Sequence, residues 1–427
     1  MQPTDVDTTG GRRPATASTF WIFAAIYGVF MFAASAPSPL YGVYASRFGF
    51  PPSTLTVVFA VYAIALLAAL LVVGRLSDHL GRRPVILASI ATQIIAMLLF
   101  ALANSTVVLV IGRVVQGIAT GSVIGALSAG IIELAATVAP GVAPMVTTSA
   151  PSFGLAAGAI CSSTLVQFAP APLRLVYWVI IAALVVGAAA TIWAPEPGHV
   201  RPGALRSLVP VASVPPHTRA SFATIAPGIV AAWALMGFYL SLGPTLVARI
   251  EDSTNHLWGG VAVLSFTFAA GAASLAARQI TVQAALLAGS AVLTVGVLLS
   301  LLAVTVSSGS LFLVGSVVAG AGFGVDFLGG IRAVSEAARA HERAGVLAAF
   351  YILSYLAFSI PAVVAGIAQT YSSARSVAMV FCAAVAVLAV IGVAASLFTR
   401  RTGTPATGTS ATSTSAAAAS TAATTKP

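Results

Sequence analysis

Twelve long apolar runs constrain this chain more than any other feature. They lie at about 20–42, 54–74, 84–104, 107–131, 144–168, 174–194, 222–247, 257–277, 282–304, 309–331, 345–369 and 374–398. A helix rises about 1.5 Å per residue, so about 20 residues cross a hydrocarbon layer about 30 Å thick. The runs are continuous, whereas barrel strands alternate polar and apolar over segments of about 10 residues. The chain is 59% hydrophobic and only 7% charged, against about 25% charged in a soluble domain. No globular core could hide that much apolar surface, so the sequence predicts an all-α integral membrane protein of twelve spans.

Basic residues outnumber acidic ones, twenty to ten, giving a net charge of +10. Such an excess would suggest nucleic acid in a soluble protein, but no basic run with interleaved aromatics lies outside the apolar segments. Membrane topology accounts for it better, because arginine and lysine gather on the cytoplasmic side. With the N-terminus inside, Arg12, Arg13, Arg75, Arg82, Arg83, Arg201, Arg206, Arg219, Arg278, Arg332, Arg339, Arg343, Arg400, Arg401 and Lys426 are cytoplasmic. Arg47, Arg174, Arg249 and Arg375 fall on the other side. An even number of spans then returns the C-terminus to the cytoplasm, in a multi-pass protein of the cell membrane. No cleavage site of the usual kind follows the first run.

The histidines show no metal-ligand spacing, and no G-x-x-x-x-G-K-[ST] loop is present to cradle ATP. Cys161 and Cys382 fall inside apolar runs and read as small packing residues. No cofactor is expected, and enzyme chemistry has little support.

The stretch from Ala194 to Ser221 is rich in proline and arginine and reads as a linker. The expected organisation is a disordered 1–18, a six-helix bundle over 19–194, a cytoplasmic linker over 195–221, a second bundle over 222–399 and a disordered Ala/Thr/Ser-rich tail over 400–427. A sparse internal repeat supports two halves. Gly117, Gly121 and Glu133 have counterparts in Gly320, Gly324 and Glu336, each 203 positions later.

Between the second and third runs lies Gly74-Arg75-Leu76-Ser77-Asp78-His79-Leu80-Gly81-Arg82-Arg83-Pro84. This pattern, G-R-L-S-D-x-x-G-R-R, resembles the signature loop of the major facilitator superfamily of transporters. In the fourth run, Arg113-x-x-Gln116-Gly117 resembles a second motif of that family. The resemblance covers about residues 20–400 and implies two pseudo-symmetric six-helix bundles that give alternating access to a central site. It also implies that Asp78 faces the start of the eleventh helix, near Arg343-Ala344-Gly345, with Gly74 and Gly345 allowing close approach. That contact would latch the cytoplasmic side. Glu133 is expected to pair with Arg75 or Arg82, and Glu336 with Arg278 or Arg332. A plain positive-inside hairpin is the alternative for the loop. Gly81 suits a tight turn and Pro84 the first turn of a helix.

Arg113 is the most expensive residue, since an arginine within a span costs at least about 2.5–3.5 kcal/mol unless it finds a partner or water. It shares a helix face with Gln116. It either serves proton coupling or an anionic substrate group, or snorkels to the surface. Asp326 is the one acidic residue inside the second-half spans. It either takes up a coupling proton or reaches out to pair with Arg332.

Pro37 and Pro39 are expected to bend the first helix. Ser35, Ser38 and Tyr41 beside them, and the aromatics Tyr27, Phe30, Trp233, Phe238, Tyr239, Tyr351 and Tyr355, are candidate pocket residues, with packing as the alternative. Ser149, Ser152 and Phe153 on the fifth run are similar. The fifth run has Gly154 and Gly158 but Ala159 where the family's antiporters carry proline, which weakens the antiport assignment. The expected activity is secondary transport of a small organic molecule by a monomer, as proton-coupled efflux. Import or uniport of a polar metabolite is the alternative, and a non-transporting membrane sensor is another.

Overall fold

The computed structural model describes residues 12–138, 142–198, 202–339 and 341–402. The tails expected to lack structure, apart from their helical inner ends, and Arg201 and Lys426, lie outside the described residues.

Twelve helices long and apolar enough to cross a membrane are present among the described residues. They are α1 (Arg12–Ser35), α2 (Pro52–Val73), α3 (Arg82–Ala101), α4 (Thr106–Val138), α5 (Val142–Phe168), α6 (Leu175–Trp193), α7 (Arg219–Ser241), α8 (Leu257–Ala276), α9 (Val282–Val306), α10 (Gly309–Ala337), α11 (Arg343–Ala368) and α12 (Ala374–Thr402). α1 begins inside the stretch 1–18 and α12 runs on to Thr402, so both ends are more helical than expected. Short helices at Ser77–Leu80 and Ala204–Ser207 mark the α2–α3 and α6–α7 connections.

Two predicted spans are broken rather than bent. α1 stops at Ser35 and the chain resumes as a helix at Tyr41–Phe48. α7 stops at Ser241 and resumes at Gly243–Ile250. Proline lacks an N–H and its ring crowds the preceding turn, which accounts for Pro37 and Pro39 in the first break and Pro244 in the second. The run 222–247 carried the warning in Gly243-Pro244, which the sequence reading passed over because the surrounding composition stays apolar.

The helices pack as two repeats of one scheme. In the first, α1 lies on α4, α5 and α6, α2 lies on α4, and α3 lies on α4 and α6. In the second, α7 lies on α10, α11 and α12, α8 lies on α10, and α9 lies on α10 and α12. The repeated glycines seat these pairs. A Cβ at Gly117 or Gly121 would run into the backbone of α2 at Tyr62 and Leu66. A Cβ at Gly320 or Gly324 would run into the backbone of α8 at Phe266 and Ala270. Close approach at small residues replaces the hydrophobic drive that lipid does not supply.

The two sets touch chiefly through α5 against α8 and α2 against α11. Under the repeat these are the same contact made twice. One end of the barrel of helices carries the Gly74–Pro84 loop and is termed the loop end; the opposite one is the far end. α2 and α11 meet toward the far end, where Phe59 and Phe358 lie 4.8 Å apart and Gly366 abuts Thr56.

Candidate functional site

At the loop end, the charges gather on Arg82, which is 7% exposed. Its guanidinium pairs with Asp78 and donates to Ser77 Oγ at 2.7 Å and to Glu133 Oε1 at 2.7 Å. Arg75 makes no ion pair among the described residues. Gly81 turns the chain at φ +98°, open to a residue without a side chain. The N-terminus of α3 that follows is capped by a residue that the sequence reading passed over. Glu196 accepts from Arg82 N at 2.7 Å and from Arg83 N at 3.0 Å, an acid at the positive end of a helix.

The expected contact between Asp78 and the start of α11 is not made. Asp78 turns to Arg82. Gly74 approaches α4 instead, where a Cβ on Gly125 would lie 2.6 Å from Gly74 O. Gly345 meets the α6–α7 connection, its carbonyl accepting from Ser213 N at 3.2 Å. Glu336 is exposed and pairs with neither Arg278 nor Arg332.

The break in α1 explains Arg113. Pro37 has no N–H for Ala33 O, while Ser38 N bonds Ser35 O and Leu40 N bonds Pro37 O. The carbonyls of Ala33, Ala34 and Ala36 are left short of their helical donors, a costly state away from water. Side chains from α4 and α5 replace those donors. Gln116 Nε2 donates to Ala33 O at 2.8 Å, Arg113 Nη1 to Ala34 O at 3.3 Å, and Ser162 Oγ to Ala36 O at 2.6 Å. Ser35 Oγ donates to Leu155 O at 2.7 Å, fixing the break to α5.

Arg113 is 1% exposed and does not snorkel. Its Nη1 also donates to Gln116 Oε1 at 2.7 Å, and its Nη2 to the Tyr41 hydroxyl. The guanidinium lies 5.2 Å from the ring centre of Tyr41, 5.3 Å from Tyr62 and 5.7 Å from Phe100. Ring faces attract a desolvated cation. Nε alone lacks a partner, and no carboxylate is within ion-pair distance among the described residues. Ser38 Oγ, beside the prolines, is buried without a partner.

Asp326 is 1% exposed and sits inside the second bundle. Its Oδ1 accepts from Ser290 Oγ of α9 at 2.8 Å, while Oδ2 has no partner. α7 comes close enough that a Cβ at Gly228 would lie 3.2 Å from Oδ2 and 2.9 Å from Ser290 Oγ. On α12, a Cβ at Gly392 would lie 2.9 Å from the Gly228 Cα. Arg332 does not reach Asp326; it donates to Ile280 O at 3.2 Å.

Between the two repeats lies an aromatic seam. Tyr27 and Tyr62 on one side are electrostatic neighbours of Tyr351 and Tyr355 on the other. Behind Tyr355, Trp233 packs at 5.1 Å from its ring and at 5.5 Å from Phe327. Trp233 Nε1 and, on α11, Ser354 Oγ are buried without hydrogen-bond partners. Tyr239 is not at the seam. Its hydroxyl lies 2.7 Å from Ser300 Oγ and its ring stacks on Phe266 at 4.7 Å, within the second bundle. Toward the far end a cavity of about 340 Å³ opens between the repeats, with Pro39, Gly42, Pro244 and Arg249 in its wall.

Tyr62, Ser162, Ser290, Ser354 and Glu196 are the residues that sequence reasoning missed. The only signal for Ser162 was its place four residues beyond Gly158, and for Tyr62 its place in an apolar run.

Among the described residues, twelve membrane-length helices in two like-packed sets of six, meeting at a polar-flecked aromatic seam, define a two-repeat helical membrane protein. The model of the Major Facilitator Superfamily matches residues 23–283, more than half of the chain, and the chain belongs to that family. That family is one of secondary transporters, not of enzymes. Solved structures agree in fold: the nucleoside transporter NupG has a TM-score of 0.68 at 13% identity, over 89% of this chain and 99% of that one. The peptide transporter POT has a TM-score of 0.69 at 12% identity, over 90% of this chain and 95% of that one. The Multidrug resistance protein MdtL of Klebsiella pneumoniae subsp. pneumoniae is 37% identical over 78 residues, 18% of this chain and 20% of the relative. The same protein from strain 342 is 35% identical over 78 residues. This chain thus matches about a fifth of the length of those curated relatives.

Proposed function

We propose that the protein exports a small, aromatic, uncharged or weakly acidic organic molecule in exchange for protons. The observation that carries this reading is the seam. Tyrosines from both repeats face one another there, and Trp233 Nε1 and Ser354 Oγ wait without partners. Polar atoms of that kind, few and set among aromatic walls, orient an apolar ligand. Asp326, the one buried carboxylate among the described residues, sits away from the seam against Ser290, so none of them places a buried acid at the seam to hold a cationic substrate. Among the described residues, the only buried cation near the seam is Arg113, beside the Tyr62 ring. The partial likeness to multidrug resistance proteins favours export.

Asp326 is the group we assign to the coupling proton. A carboxylate deep in a membrane protein with no cation beside it is neutral in one step and charged in another only if a proton moves. The termini face the cytoplasm, as the arginines require, and the protein works as a monomer. With Phe59 and Phe358 packed together toward the far end, and Asp78 away from α11, the loop-end latch is released in the state described. Contact between Asp78 and α11 then belongs to the opposite state.

The test is transport by protein reconstituted in liposomes, screened with planar aromatic compounds, with and without a pH gradient. Gradient-driven flux is expected, and Asp326→Asn should abolish uphill movement while leaving exchange of labelled for unlabelled substrate. Uphill transport by Asp326→Asn at the parent rate would remove the proton assignment. Flux restricted to cations would remove the substrate class.

A further inference from the structure

A second cavity lies at the loop end, independent of the transport reading. A cavity of about 290 Å³ sits where α5 of the first repeat crosses α8 and α10 of the second. Met145 and Thr148 wall it on one side; Ser274, Arg278, Leu328 and Arg332 wall it on the other.

The two arginines are placed but not neutralised. Arg332 Nη1 donates to Ile280 O at 3.2 Å, and its Nη2 donates to Arg278 O, which holds the two residues together. Arg278 Nη1 reaches across to Met145 Sδ at 2.9 Å, a weak acceptor. Neither arginine has a carboxylate within ion-pair distance among the described residues. Glu336, one turn beyond Arg332, is exposed and unpaired with it.

The repeat shows what is missing. In the first half, Arg75-x-x-Asp78 closes α2, and Arg82 takes both Asp78 and Glu133. The same positions in the second half, 203 residues on, read Arg278-x-x-Thr281. Thr281 is spent on capping α9, its side chain accepting from Ala284 N at 3.3 Å. The positive charge has been kept and the acid lost, beside a cavity with hydroxyls in its wall.

We propose that this cavity binds a phosphate group, either on an anionic lipid headgroup or free in solution. The guanidinium donors not serving Ile280 O, Arg278 O and Met145 Sδ match the oxygens of a phosphate, and Thr148 and Ser274 lie within the cavity wall. The occupant spans α5 of one repeat and α8 and α10 of the other, so it holds the loop ends of the two repeats at their present spacing.

The experiment uses full-length protein in nanodiscs of phosphatidylcholine, with phosphatidylglycerol titrated in, or with sodium phosphate added against sodium chloride at equal ionic strength. Melting is followed by tryptophan fluorescence, and bound lipid is counted by native mass spectrometry. A rise in melting temperature with phosphatidylglycerol alone identifies a headgroup site; a rise with sodium phosphate identifies a free-phosphate site. Either is expected to need at least about tenfold more ligand in Arg278→Gln and in Arg332→Gln, a loss of about 1.4 kcal/mol or more for one charge-assisted contact. No rise in either arm, or a rise unchanged in both variants, overturns the proposal. If those variants do not fold, Thr148→Leu narrows the cavity from the α5 wall without altering charge. It should weaken the response several-fold, and an unchanged response overturns the proposal equally.

Discussion

Arg113 and Asp326 are both ionisable, both 1% exposed and both within membrane spans, yet their surroundings differ in kind. Arg113 is held on several sides, by two side-chain oxygens, a backbone carbonyl and three ring faces. It completes the hydrogen bonding of a helix broken by proline. Asp326 has one partner, Ser290, and an oxygen left bare against α7. One charge is part of the scaffold, and the other is exposed to change. A buried group whose removal orphans its neighbours must stay as it is; one that leaves little behind can gain or lose a proton.

The sharpest way to break this contrast is Arg113→Ala. It strips donors from Ala34 O, Gln116 Oε1 and Tyr41, at about 1–3 kcal/mol for each buried group left unsatisfied. A loss of at least about 3 kcal/mol is expected, read as a lower melting temperature and a poor yield of monodisperse protein. Arg113→Lys should recover less than half of that loss, because an ammonium cannot fork between Gln116 and Tyr41 while lying flat between rings. A parent-like melt for Arg113→Ala would show that the cation is not structural. Next comes Gly228→Ala, whose new methyl would press on Ser290 Oγ and Asp326 Oδ2; overpacking of this kind costs about 1–3 kcal/mol. A neutral result in the same melting assay would mean that α7 can move away from the carboxylate. Ser162→Ala frees the carbonyl of Ala36 and should cost about 1 kcal/mol. Asp326→Asn should have the smallest effect, within about 1 kcal/mol of the parent or above it, since an amide is easier to bury than an unpaired charge. If Asp326→Asn instead melts far below the parent, the carboxylate belongs to the scaffold too, and the contrast fails.

The spans were legible in the sequence because membrane length and hydropathy are local properties, readable window by window. The repeat was legible through Gly117, Gly121 and their counterparts, because helix crossings admit only small residues at those points. The breaks were half legible. Pro37 and Pro39 announced a distortion of α1, whereas the matching signal in α7, Gly243-Pro244 just after Ser241, was passed over inside an otherwise apolar run. The partners of the buried charges were hardly legible at all. Ser162 lies 126 residues from the carbonyl it serves, and Ser290 lies 36 from Asp326. Each is an ordinary serine in an apolar run until the packing brings it opposite a polar group. The Asp78 contact was expected from a family pattern, and a pattern describes a cycle, of which a structure holds one state. Glu196 was hidden for another reason: a proline-rich connection looked like slack chain.

That carboxylate has a further consequence. Glu196 ties the start of the α6–α7 connection to the first repeat at α3, and Ser213 ties its later part to the second repeat at Gly345. His79 Nδ1 also meets Pro202 O at 3.1 Å, so the leash that would pay out in a rocking motion is shorter than the connection itself, about 10 residues, or about 35 Å at full stretch. Deleting residues from that leash should stall the rocking at a definite length while both repeats stay folded, and the Ser213 anchor at the head of α11 is the first knot to come undone.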